Sequence, residues 1–487
     1  MPDASQRARP AGSVFFYAFV AFVLLAPVYK GGARAIPLAL LELAAVGFLF
    51  TIFVVRGALP PIPRALKFAI AILIAYPLLQ MLPLPDAWWR AIPGHAEYAI
   101  AIDHFAAPID QRDSNPIPHS ISIVPAATED GWLALLPPLA CLLAVQRLRI
   151  AAVIRLLLAM TVFAGMEGLL GLLQVGAGGN TGVYRSIDGP SSRAAGTFVN
   201  PDHLAAFLAM MLPVMIGLLL YGATRNGRGS AHDDSAGIRP FESNRFSRRT
   251  LLFASAVMIS LCLVFTWSRA GIASALVGLA GTALLLPFGG GGKRARWLVL
   301  GLLALVVPIA VVIGITPILE RMGPQQMAEA LDFRFLITAQ TFQAAMVFFP
   351  WGSGLSTLES VFPRFQTGPL PFLVDYAHND YVQAFMELGF AAPVVVLLLL
   401  VGYVGQLLKL AFVERRRGAT VVRLAAGLGL IPLILHSAFD FALHVPAISM
   451  WFATLAGVFF HPGDPHGEHT ARVVPEDRPN PTNSRTT

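Results

Sequence analysis

Apolar stretches long enough to cross a bilayer recur along this chain, and nothing constrains its fold more tightly. A helix needs roughly 17–25 such residues to pass through ~30 Å of hydrocarbon, and inside lipid only helices and closed barrels satisfy their backbone. The stretches are continuously apolar, without the alternation of a barrel strand, so they predict helices. Twelve spans are expected, starting near Val14, Ile36, Leu66, Trp132, Ala151, Leu204, Leu251, Ala270, Trp297, Ala391, Val421 and Pro446. The fourth is interrupted by Pro137 and Pro138, and the last is short. Composition agrees. Only 13% of the 487 residues are charged and mean hydropathy is +0.66, whereas a soluble domain carries about 25% charged residues.

Lys and Arg collect on the cytoplasmic side of membrane proteins. An N-terminus placed inside puts "RGALPPIPRALK", "QRLRIAAVIR", "GGGGKRAR" and "VERRRG" inside as well, and leaves ten of the 35 basic residues outside. The net charge of +7 therefore reads as topology and contact with anionic membrane lipids, not as nucleic-acid binding. Arg7 and Arg9 with "ARA" at 33–35 resemble a secretory signal, but the eleven spans that follow favour an uncleaved anchor. Cys141 and Cys262 both fall inside spans, so no disulfide framework or zinc site is expected. The expected architecture is an all-α polytopic membrane domain over residues 1–461. External segments lie at about 85–130, 176–203 and 317–390, the last and largest between helices 9 and 10. Residues 462–487, rich in Pro and polar side chains, read as a disordered cytoplasmic tail, and "RNGRGSAHDDSAGIRPFESNRFSRR" as a flexible cytoplasmic linker.

Chemistry gathers where helices meet the outer interface. In "SSRAAGTFVNPDHLAAFLAMMLPV", Arg193 precedes a turn in which Asp202 can cap the sixth span. Residues alone leave two readings, a capped helix with a lipid-snorkelling arginine or part of a site. In "FTWSRAGIASALVGL", Ser268 and Arg269 stand between two apolar runs with almost no loop. A guanidinium held there is either an interfacial anchor or a partner for a diphosphate, which its planar fork fits. In "DYAHNDYVQAFMELGF", helical spacing puts His378, Tyr381, Phe385 and Leu388 on one face and Asp380, Gln383 and Glu387 on the next. A histidine can take a proton from a hydroxyl near neutral pH. In "LHSAFDFALHVPA", His436, Asp440 and His444 recur every four residues near the outer end of the eleventh span. These form either a helix-end hydrogen-bond network or functional ionisable groups at membrane depth. Glu42 and Glu167 also fall within spans. No D-x-D, P-loop, H-E-x-x-H or G-x-S-x-G is present, so neither a metal nor another cofactor is expected.

Taken in order, "QMLPLP" (80–85), "RAAGTFVNPDHLA" (193–205), "TWSRAG" (266–271), "PWGSGLSTLESVFPRF" (350–365), "HNDYVQAFMELGFAAP" (378–393) and "HSAFDFALHVPA" (436–447) cover most of the chain. In these the sequence resembles the O-antigen ligase and polymerase family of bacterial membrane proteins. The resemblance implies a metal-independent glycosyltransferase of the GT-C type in the inner membrane, with its site on the periplasmic face and both termini cytoplasmic. The implied donor is an undecaprenyl-diphosphate-linked glycan. The acceptor is lipid A–core for a ligase and a second lipid-linked glycan for a polymerase. The family's catalytic histidine falls on His378 and its diphosphate-binding arginines on Arg269 and Arg193, with Arg185 and Arg334 as further candidates. Asp380, Glu387, Asp440 and His436 are possible supporting residues. Asp202 stands where many relatives have asparagine. "AWWR" (87–90) is similar to the W-W-D motif of oligosaccharyltransferases except that Arg90 replaces the carboxylate, and it reads as an interfacial aromatic anchor. A transporter, the reading from another class, would place its site near the bilayer midplane, whereas these clusters share one outer face.

Overall fold

The computed structural model describes residues 4–55, 62–106, 119–178, 193–224, 245–287, 292–314, 324–368, 373–414 and 418–463. Arg185, most of the expected linker and the tail from 464 onward lie outside them. The helices are α1 (Ala4–Leu25), α2 (Ala35–Phe50), α3 (Arg64–Gln80), α4 (Asp86–Ala91), α5 (Ala96–Ala106), α6 (Pro125–Leu133), α7 (Leu136–Val145), α8 (Ile150–Gly176) and α9 (Pro201–Thr224). They continue with α10 (Arg245–Phe265), α11 (Arg269–Leu285), α12 (Arg294–Gly314), α13 (Pro324–Phe348), α14 (Asp380–Leu388), α15 (Ala391–Leu408), α16 (Gly418–His436) and α17 (Pro446–Phe459). Among the described residues β pairing is confined to one isolated bridge between Leu84 and His119.

The expected spans fall on helices, the fourth of them on two, α6 and α7. Among the described residues, seven segments are long and apolar enough to cross a membrane: Ala35–Val55, Pro125–Val145, Ile150–Gly176, Pro201–Gly222, Arg248–Phe265, Ala391–Val413 and Ala419–His436. Ser13–Leu25, Arg269–Leu285 and Pro446–Phe459 are shorter apolar helices. The protein is a polytopic helical membrane protein. The fourth span breaks between α6 and α7, where Pro137 sits in the first turn of α7, the position at which proline's missing N–H costs nothing.

Burial separates the centre of the bundle from its wall. In α9, 89% of the apolar window is buried, against 11% for Ala35–Val55 and 17% for Ala391–Val413. A helix apolar all round is either core or lipid-facing, and both kinds occur here. Small residues let the central helices close on one another, as expected in lipid. A methyl group at Gly217 would lie 2.3 Å from Ala425 Cβ, and one at Gly271 2.4 Å from Ala205 Cβ. These contacts pack α9 against α16 and α11.

A second apolar cluster forms outside the bundle. Ile337, Ala344 and Phe348 of α13 meet Val361, Phe362, Val374 and Met386, so the segment from α13 to α14 packs as a layer. Gln80 at the end of α3 helps tie it to the bundle, donating to the carbonyls of Trp351 (3.0 Å) and Glu387 (2.9 Å). Trp89 of "AWWR" is buried and stacked on His119 at 4.1 Å, so the anchor reading fits only its exposed neighbour Trp88. Arg90 pairs with Asp86 and Asp103.

Candidate active site

His378 stands before α14, not on it. Asn379 takes the cap instead, its Oδ1 accepting from the N–H groups of Tyr381 and Val382 at 3.1 Å each. This overturns the expected helical face shared by His378 and Tyr381. Three more bonds fasten this point to the end of α16. Asn379 Nδ2 donates to Ala438 O (3.0 Å), Asp380 N–H to Ser437 O (2.9 Å) and Tyr381 Oη to Ile434 O (2.6 Å). His378 is thereby held at φ +52°, in the left-handed region that L-residues seldom adopt.

The imidazole faces Asp440. His378 Nδ1 lies 3.5 Å from Asp440 Oδ1, an ion-pair distance at the outer limit of a hydrogen bond. Phe441 closes edge-on against the ring, with centroids 5.2 Å apart, and is itself stacked on Tyr376 at 4.1 Å. Asp440 is fully buried, and its Oδ2 faces His436 Nε2 at 3.5 Å and His203 Nε2 at 4.0 Å. Burial alone would push this carboxyl up. His378 and His436 beside it, with the charges of His203 and Arg334, hold it well below the usual carboxylate range.

A second carboxylate organises the arginines. Asp202, in the first turn of α9, binds Arg193 Nη2 through Oδ1 at 2.9 Å and Arg334 Nη2 through Oδ2 at 3.0 Å. It was expected to cap α9. Asn200 does that, its Oδ1 accepting from Asp202 N–H at 2.8 Å. Arg334 Nη1 also donates to Phe439 O, next to Asp440, at 3.1 Å. Arg193 Nε donates to Thr266 O at 2.8 Å, in the three-residue turn between α10 and α11. That turn ends at Ser268, whose Oγ accepts from Gly271 N–H at 3.2 Å, and Arg269 opens α11 half-buried. One network thus runs from His378 through Asp440, Phe439, Arg334, Asp202 and Arg193 to the turn that carries Arg269.

The loop bearing Arg193 is pinned from α8. Gln174 Oε1 accepts from Ala195 and Gly196 N–H at 3.1 and 2.7 Å, and Gln174 Nε2 donates to Gly196 O at 2.7 Å. Glu167 accepts from Thr197 N–H at 2.9 Å and Thr197 Oγ1 at 3.0 Å. Sequence reading named Glu167 without a partner; its partner is Thr197, through both backbone N–H and hydroxyl. Glu42 is half-buried on α2.

The remaining candidates separate from His378. Asp380, Gln383 and Glu387 share the buried face of α14, as their spacing predicts. Asp380 Oδ1 pairs with His444 Nδ1 at 2.8 Å. Glu387 accepts from Ser356 N–H at 2.8 Å and Gln383 Nε2 at 3.0 Å. These bonds brace α14 against the chain before and after it. His444 was expected beside His436 and Asp440, but α16 ends at His436 and the chain turns there, sending His444 to Asp380. Sequence reading missed His203 altogether. Its one signal is its place beside Asp202 in "NPDH".

Residues 254–398 match the family model described as O-antigen ligase. The chain carries an O-antigen ligase family domain. Among curated proteins, none matches the chain. The O-antigen ligase domain runs from α10 into α15 and contains Arg269, Arg334 and His378, while Arg193, Asp202 and Asp440 lie outside the matched stretch and reach it through the fold. The O-antigen ligase family implies a glycosyltransferase-like membrane enzyme, of ligase or polymerase kind.

Proposed function

We propose that the protein moves a glycan from undecaprenyl diphosphate to an acceptor hydroxyl on the periplasmic face of the inner membrane, as an O-antigen ligase whose acceptor is lipid A–core. The observation that carries this reading is the single network joining a carboxylate-backed histidine to Arg334 and Arg193 and ending at the turn that carries Arg269. With Nδ1 turned to Asp440, Nε2 is left to accept the acceptor's proton. The freed oxygen attacks the anomeric carbon from the face opposite the diphosphate. The bond from that carbon to the diphosphate oxygen breaks with inversion, and the lipid diphosphate leaves with the bonding pair.

Arg269, Arg193 and Arg334 carry the leaving group's charge in this mechanism. Two guanidiniums on the one carboxylate of Asp202 leave a net positive charge, and fixed donors of this kind stabilise developing charge at little reorganisation cost. No metal enters the mechanism. Arg193 and Arg334 converge on Asp202 at the end of α9 where the apolar span starts, which suits a substrate that is half lipid and half sugar. The topology that fits has both termini in the cytoplasm.

Reconstitution with an undecaprenyl-diphosphate-linked glycan and two acceptors tests this reading. Product on lipid A–core is expected for the ligase. Product on a second lipid-linked glycan would make the protein a polymerase of the same family. Transfer to neither, with both acceptors presented in the same bilayer, would refute the proposal.

A further inference from the structure

Helix α13 is apolar on two sides. Ile337, Ala344, Ala345 and Phe348 face the protein and are buried. The opposite side carries Phe335, Leu336, Phe342, Met346 and Val347, all exposed, Phe335 at 59% and Met346 at 55%, with the polar Gln343 among them. An exposed apolar strip of this length marks a surface that meets a partner or a membrane. Nor does the helix cross the membrane. Glu329, Asp332 and Arg334 stand in its sequence, and the 14 residues from Phe335 to Phe348 rise only about 21 Å, short of the ~30 Å hydrocarbon.

The strip is continuous with the wall of the bundle. Phe390 N–H donates to Pro350 O at 2.9 Å, which ties the end of α13 to the start of α15. Phe342 and Phe349 both pack on Phe385 of α14, at 6.2 and 6.1 Å between ring centroids. Beyond them the exposed Trp351 and Phe390 lead into Leu397, Leu400 and Val401 of α15. That helix is among the least buried spans, so its outer side meets acyl chains.

We propose that the outer side of α13 lies in the membrane, along the leaflet next to His378, with lipid acyl chains as its occupant. A helix with one side on protein and the other on lipid sits in the interface plane, immersed to a depth of about 5–10 Å. Arg334, at the head of the strip and 3.0 Å from Asp202, is then held at headgroup depth.

Single cysteines at Phe335, Phe342 and Met346, labelled with bimane in nanodiscs, test this directly. The buried Cys141 and Cys262 give the blank in the unmodified chain. Leu397→Cys serves as the lipid-facing reference and Ser360→Cys as the reference away from lipid. Lipids brominated near the glycerol end of the chain are expected to quench all three α13 probes as strongly as the Leu397 probe and to leave Ser360 bright. Probes at 335, 342 and 346 that stay as bright as Ser360, with water-like emission, overturn the proposal. Unquenched probes with apolar emission, at positions whose unlabelled cysteines cross-link between chains, also overturn it, by assigning the strip to a second copy. Leu336→Cys and Val347→Cys repeat the measurement if a first-set variant loses its monodisperse elution.

Discussion

Nδ1 of His378 lies 3.5 Å from Oδ1 of Asp440, and that carboxylate is fully buried while the imidazole is 23% exposed. The pair therefore has one member fixed in the bundle and one member at the surface that substrate can reach. Asp440→Asn removes the charge and keeps the shape. Misplacing a reacting group costs on the order of 10²-fold, so turnover should fall by that much while donor affinity stays unchanged. Single-turnover transfer alongside equilibrium binding of the donor separates the two; a loss confined to donor affinity would contradict the assigned role.

Arg334 joins Asp202 to Phe439 O and is assigned to the diphosphate. A hydrogen bond to a charged group contributes about 1.5–3 kcal/mol, so Arg334→Ala should weaken donor binding by roughly 10- to 100-fold. Arg334→Lys keeps the charge but loses the two-pronged geometry, and should recover only part of that loss. The same ordering is expected at Arg269, and transfer should persist in EDTA. Binding that is identical in wild type and both Arg334 variants would remove this residue from the site.

Much of the fold was legible because its signal is local. Apolar length alone located the helices that start near Leu204, Leu251 and Ala391, and proline marked the α6–α7 break. Arg269 could be singled out because its turn is three residues long. Relationships set by tertiary packing were not legible. Nothing in the spacing of His436, Asp440 and His444 says that the helix stops at His436, which parts His444 from the others. Asp202 reads as a cap from its position, yet the role goes to Asn200 because two arginines approach from α13 and the preceding loop. His203 has no sequence signal beyond its place beside Asp202, and its part in the site becomes visible only when Asp440 is placed 4.0 Å away.

Glu167 should matter through the loop it holds. Glu167→Ala leaves the buried Thr197 N–H and hydroxyl without their acceptor, at a cost of about 1–3 kcal/mol. Thermal unfolding in detergent should register that loss, and Glu167→Gln, which retains one acceptor oxygen, should show a smaller one. Equal stability of wild type and Glu167→Ala would contradict the pinning.

His444 supplies a pH dependence. Removal from bulk water opposes its charge, but Asp380 and Glu387 overcome this and raise it above the ordinary imidazole range. The raised folded-state value means that its stabilisation is complete below the unfolded value of about 6.5. It is lost as pH rises through the folded value. The difference in melting temperature between wild type and His444→Gln should therefore shrink as pH rises above about 6.5. A difference that grows over this range would reverse the sign and reject the pair.

His378 is held at φ +52°, which costs an L-residue roughly 1–2 kcal/mol and glycine nearly nothing. His378→Gly should consequently unfold at a higher temperature than His378→Ala, although both are expected to be inactive. The reverse order would show that the left-handed backbone is not retained in the variants.

The central claim is that His378 removes the acceptor's proton, and single-turnover glycan transfer by folded His378→Gln protein tests it most directly. Glutamine can still donate and accept hydrogen bonds but cannot take up the proton. The account predicts a loss of ~10²–10⁴-fold, matching His378→Ala, with donor affinity unchanged in both. Transfer by His378→Gln at close to the wild-type rate would contradict it.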